Sequence, residues 1–146
     1  MLWMNTIGHG MVPEDIHKYF QSSISYYERE EWRISILLAA IAVESILAEI
    51  YEEYYHEVAP SDPLGALKDK IERKPKFPPN ILKNIELVNH CRISAVHWSS
   101  TPVGSKEARN ALVEATKFIH WAFSEGPLGI QYSNVPAKVQ TSTTIP

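Results

Sequence analysis

One cysteine in 146 residues leaves this chain with neither an internal disulfide nor a cysteine-built zinc site. Cys91 stands alone, and a reducing, cytoplasmic setting is the simplest fit. The six glycines never form the Gly-rich turn that cradles phosphates, and Ser99-Ser100 lacks the glycines of a nucleophile elbow. His9, His17, His56, His90 and His120 show no metal-ligand spacing, and His56-Glu57 is not part of a zinc-binding helix motif. No metal and no cofactor is therefore expected. The opening MLWMNTIGHGMVPEDI has no basic stretch and no long apolar run, so a secretory leader is not expected. The single long apolar run, 34–51, carries Glu44 and Glu49. Charged groups are costly at a bilayer centre, and the run reads as a buried helix, not a membrane span.

What is present is the composition of one globular domain, 45% hydrophobic and 21% charged, long enough to bury a real core. A net charge of −3 argues against indiscriminate nucleic-acid binding through overall charge. The basic residues are nevertheless concentrated: Lys68, Lys70, Arg73, Lys74, Lys76 and Lys83 fall close together. Such a cluster is either a solvated helix end or a lip that attracts phosphate. Read as the second, it makes Lys70, Arg73, Lys74 and Lys76 the candidate RNA-binding residues.

The patterning is helical throughout. Residues 1–12 show no period and form a lead-in arm. Pro13 suits the first turn of a helix, with Glu14 and Asp15 at its positive end, and Ile16, Phe20, Ile24 and Tyr27 follow at helical spacing to about Glu30. A second helix over 31–57 has two apolar stripes, one through Ile34, Leu37, Leu38, Ile41 and Ala48, the other through Trp32, Ile36, Val43, Ile46 and Ile50. A helix apolar all round must be covered all round. Either its own chain wraps it, or a second subunit covers one side, which is the argument for a homodimer. Asp62 before Pro63 predicts an N-cap and first helical position for a short third helix to about Arg73, and Asn80 is placed to cap a fourth that ends near His97. A last helix starts at Thr101 or Ser105 and runs to about Ser124 on Ala108, Ala111, Leu112, Ala115, Phe118, Ile119 and Ala122. Gly126-Pro127 stops it, and an irregular tail is expected over 126–146. The expected fold is all-α: a helical bundle of about five helices over 13–125, a four-helix up-and-down core plus a short helix.

One stretch carries candidate chemistry. NHCRISAVHWSS, residues 89–100, puts Arg92 and His97 five positions apart at the end of the fourth helix. Arginine grips phosphate as a fixed fork, and histidine titrates near neutrality. Glu44, among Leu37, Ala40, Ile41 and Ala48, is an acid on an apolar face; it either pairs with Arg92 or reaches water at the rim.

This arrangement resembles the HEPN superfamily. The resemblance covers about residues 13–125 and is carried by RISAVH followed by WSSTPVGSKEARNALVEATKFIHWAF. It implies a bundle in which Arg92 and His97 match the motif arginine and histidine. Many such proteins are metal-independent endoribonucleases that act as dimers, among them toxins of toxin–antitoxin pairs and antiviral effectors; others keep the bundle with no demonstrated catalysis and would bind RNA or a partner chain such as an antitoxin or nucleotidyltransferase. The polar residue that often follows the motif arginine is here Ile93, and a tyrosine found in one subgroup is here Ser99. The chemistry implied needs no metal, because RNA supplies its own 2′-hydroxyl nucleophile. His97 would move protons, and Arg92 would stabilise charge on the phosphorane.

Overall fold

Pro13 opens the first helix, α1 (Glu14–Glu28), as its N-cap, and its carbonyl accepts the His17 N–H at 3.0 Å. Glu14 and Asp15 lie in the first turn, where negative charge meets the positive end of the helix dipole. Ile16, Phe20 and Ile24 drive one face inward. The chain reverses through Arg29, Glu30 and Glu31, with Glu30 at φ 61, a left-handed conformation that a tight reversal demands of a non-glycine residue. The second helix, α2 (Trp32–Glu49), then packs back against α1. A reciprocal pair of buried bonds locks the hairpin: Ser23 Oγ donates to Ser35 O at 2.6 Å, and Ser35 Oγ donates to Ser23 O at 2.8 Å.

The computed structural model describes residues 13–74, 77–97 and 102–132. The expected arm over 1–12, Lys76, the Trp98–Ser99–Ser100–Thr101 segment and the tail beyond 132 lie outside the described residues. The chain is an all-α helical bundle. Its centre is α2, which contacts α1, α4 and α5, and which continues past Glu49 as a wider π-helical turn, Ile50–Tyr54. Ile36, Val43, Ile46 and Ile50, from one of the two stripes, are buried, whereas Ile34 and Ile41 from the other stay exposed. Among the described residues, α2 is therefore covered on one side and part of the other is left open. Trp32–Tyr54 is long and apolar enough to cross a membrane, but 56% of its apolar window is buried inside the bundle, as in a core helix.

The third helix is α3 (Leu64–Glu72), which buries Leu64, Leu67 and Ile71. Its N-cap position falls on Pro63, one residue later than Asp62, whose carboxylate pairs with Lys70 instead. The fourth helix, α4 (Pro79–Val96), has Pro78 at its N-cap position and Pro79 in its first turn, so Asn80 lies inside the helix and does not cap it. The fifth, α5 (Ser105–Phe123), starts after Gly104, whose N–H donates to the Glu107 carboxylate at 2.9 Å. That bond is the reach-back half of a capping box. Alanines at 108, 111, 115 and 122, all fully buried, let neighbouring helices approach α5 closely.

The expectation of an irregular tail from 126 needs correction at its start. Pro127–Tyr132 forms a last short helix, α6, and Leu128 is fully buried. The proline supplies a preset first-turn φ, and burial of Leu128 offsets the cost of ordering the turn. Gly126 is required by a close approach: a Cβ there would stand 2.8 Å from Trp121 O.

Candidate active site

Helix α4 carries both members of the Arg–His pair. Its apolar residues Ile81, Ile85, Val88, Cys91 and Ala95 face the core, and Arg92, next to Cys91, is half-buried at the edge of that face. His97 is the residue at which the helix ends. Its N–H donates to Ile93 O at 3.2 Å, its backbone turns extended (φ −93, ψ 93), and its side chain is exposed. A regular helix would set the two side chains about 140° apart. The extended backbone at His97 redirects the chain that follows it, while its own N–H still bonds to the helix.

Arg92 is held by its own helix. Both Nε and Nη2 donate to Asn89 Oδ1, at 3.1 and 3.0 Å. Asn89 lies three residues earlier, where α-helical geometry places side chains side by side. Two donors on one acceptor fix the plane of the guanidinium, as recognition of a tetrahedral oxyanion requires. Asn89 is in turn pressed against α3: a Cβ on Gly65 would come within 2.9 Å of Asn89 Nδ2. A glycine in the first turn of α3 is what lets that helix lie so close.

Glu44 sits nearby on α2, half-buried. Its carboxylate accepts the Leu64 backbone N–H and so caps α3 from a neighbouring helix. Burial pushes its pKa up, while the charge of Arg92 and the Leu64 bond pull it down, and burial prevails. Arg92 thus acts on Glu44 through space. No Glu44–Arg92 ion pair is closed among the described residues, and the guanidinium hydrogen bonds go to Asn89.

The basic residues gather at the other end of α3. Lys70 pairs with Asp62, and Lys74 pairs with Glu57 while its Nζ lies 5.0 Å from the Tyr55 ring centroid and 5.8 Å from that of Tyr51. Lys70, Arg73 and Lys74 line a cavity of 370 Å³ with Tyr51 and Val58. From Gly65 to Arg73 the helix rises about 12 Å. The fold therefore separates this cluster from Arg92 and does not merge the two. Among the described residues, no group of three or more His, Cys, Asp or Glu side chains is placed to hold a metal ion.

Two contacts of the site were not singled out by the sequence pattern. Asn89 carried a signal, its i−3 spacing to Arg92. Arg33 carried none: from the first turn of α2, its Nη1 donates to Ser94 O at 3.2 Å and Ala95 O at 2.7 Å, across more than sixty residues of chain. Beside this contact lies an apolar hollow of 660 Å³ lined by Trp32, Ile34, Leu37, Ala95, Val96 and Val103.

Comparison with known proteins returns no matching family model, no matching curated protein and no matching solved structure.

Proposed function

We propose that the chain is a metal-independent endoribonuclease of HEPN type. It cleaves single-stranded RNA by transesterification at a cleft between two copies, in the cytoplasm, within a toxin–antitoxin or antiviral system. The observation that carries the reading is the state of the pair on α4. Arg92 is fixed in plane by Asn89, and His97 stands exposed where the helix ends. The apolar rim supports the dimer: of the residues that line the hollow, Ile34 is 43% and Val96 46% exposed. Isolated apolar residues on a surface are ordinary, but a group lining one hollow favours a covering partner.

In this reaction the 2′-oxygen of a nucleotide attacks the adjacent phosphorus and the bond to the 5′-oxygen breaks. Histidine takes the 2′-hydroxyl proton, and a second proton donor, histidine or water, protonates the leaving 5′-oxygen. Arg92 stabilises the two negative charges that build on the non-bridging oxygens, where its contribution is greatest. The products are a 2′,3′-cyclic phosphate and a 5′-hydroxyl. Analysis of the cut ends tests this. Cyclic phosphate termini from RNA, with DNA left intact, are the expected result; a 3′-hydroxyl end, or activity that disappears with EDTA, would sink it.

A second reading, a non-catalytic HEPN-type module that binds RNA or a partner protein such as an antitoxin or nucleotidyltransferase, is favoured by one feature. Ile93 places an apolar, exposed side chain beside Arg92 where the family pattern often has a polar one.

A further inference from the structure

No basic residue occupies the last turn of α4, and its C-cap, His97, has an extended backbone. The last carbonyls of a helix still need donors. Here they come from another helix. Arg33 of α2 places one guanidinium nitrogen 3.2 Å from Ser94 O and 2.7 Å from Ala95 O, the carbonyls three and two residues before His97. Arg33 is half-buried, and as a cation it also meets the negative end of the α4 dipole. Immediately beyond this contact the backbone leaves the helix, at His97 itself.

From this we infer that Arg33 is a positioning residue for the proposed reaction. It clamps the end of α4 to α2 and so fixes the point at which His97 departs from the helix. The inference rests on the ribonuclease reading for its catalytic consequence, and on the two hydrogen bonds alone for its structural one. Both bonds leave the same nitrogen, Nη1, whose N–H directions are fixed in the guanidinium plane, whereas a lysine ammonium on a flexible stem would hold the carbonyls loosely. Without the clamp, the last turn of α4 would fray and His97 would sample many positions, while Arg92, held by Asn89 one turn earlier, would stay in place.

The test uses the full chain with Arg33→Met and Arg33→Lys, each followed by amide hydrogen exchange and by steady-state cleavage of a single-stranded RNA. In Arg33→Met, the amides of Val96 and His97 are expected to exchange on the order of tenfold faster, with the buried α5 amides unchanged. The kcat value is expected to fall about 100-fold, as for a catalytic group displaced by about an ångström, with KM nearly unchanged. Arg33→Lys should recover part of both effects, and it carries the test alone should Arg33→Met not fold. Unchanged exchange at the α4 end would overturn the clamp. Faster exchange with unchanged kcat, or kcat and KM shifting together with global stability, would overturn the positioning role. If the wild-type protein cleaves nothing, the ribonuclease reading and the catalytic role fall, and the exchange result still decides the clamp.

Discussion

Replacing Gly65 with alanine separates the site from the fold. A Cβ at that position would lie 2.9 Å from Asn89 Nδ2, 3.5 Å from its Cγ and 3.6 Å from its Oδ1. The clash falls on the tip of a side chain, not on backbone, so the side chain is what gives. In a helix, alanine is favoured over glycine by up to about 1 kcal/mol. Against that gain, moving the Asn89 amide weakens its two hydrogen bonds to a charged guanidinium, a loss of roughly 1–3 kcal/mol. The difference leaves a net destabilisation between about zero and 2 kcal/mol, a fall in Tm of at most roughly 8 °C for a chain of this size. Cleavage responds more strongly, because Arg92 loses its fixed plane: a drop of about 100-fold is expected. Thermal unfolding and RNA cleavage are measured on the same preparation of Gly65→Ala. Full activity with an unchanged Tm would refute the claim that Asn89 orients Arg92 for reaction. A Tm collapse far beyond that range would refute the claim that only a side-chain tip is displaced.

Three other perturbations probe the frame around the site. Ser35→Ala removes the bond from the Ser35 hydroxyl to Ser23 O and keeps the one from Ser23 Oγ to Ser35 O, at a cost of about 0.5–1.5 kcal/mol in urea unfolding; no loss would mean that this bond does not help to lock the hairpin. The Gly104 N–H holds the Glu107 carboxyl below its ordinary value of 4.5. Its stabilisation is therefore present above that pH and lost as pH falls through the lower folded value, so the Tm gap between wild type and Glu107→Gln should be wide at neutral pH and close in acid. A gap independent of pH would refute the assignment. Burial pushes the Cys91 thiol up to about 11, so native protein should react with a thiol reagent at mildly alkaline pH at least about 100-fold more slowly than unfolded protein. Rapid native labelling would contradict its place in the core.

The helices were legible in the sequence because their signal is local. Ile16, Phe20 and Ile24 in α1, and Ala108 through Ala122 in α5, repeat at helical spacing and are all buried. The short α6 was not legible, since Gly126-Pro127 reads as a stop until Leu128 finds a core to enter. Caps were misplaced for the same reason: the Leu64 N–H is met by Glu44, twenty residues away, and not by Asp62. At the site, spacing put Arg92 and His97 towards the end of one helix. It did not give the partners. Asn89 takes both Arg92 bonds, and Arg33 reaches the end of α4 from the start of α2; contacts across that much chain leave no period to read. In the basic cluster, ion pairs with Asp62 and Glu57 engage Lys70 and Lys74, which only the folded structure reveals.

The central claim is that His97 at the end of α4 moves a proton during RNA cleavage. The direct measurement incubates purified wild-type protein and His97→Ala with mixed single-stranded RNA in EDTA. The account predicts cleavage by the wild type and its loss, by a factor on the order of 100 or more, in the variant. Equal cleavage by both proteins, or by neither, would contradict it.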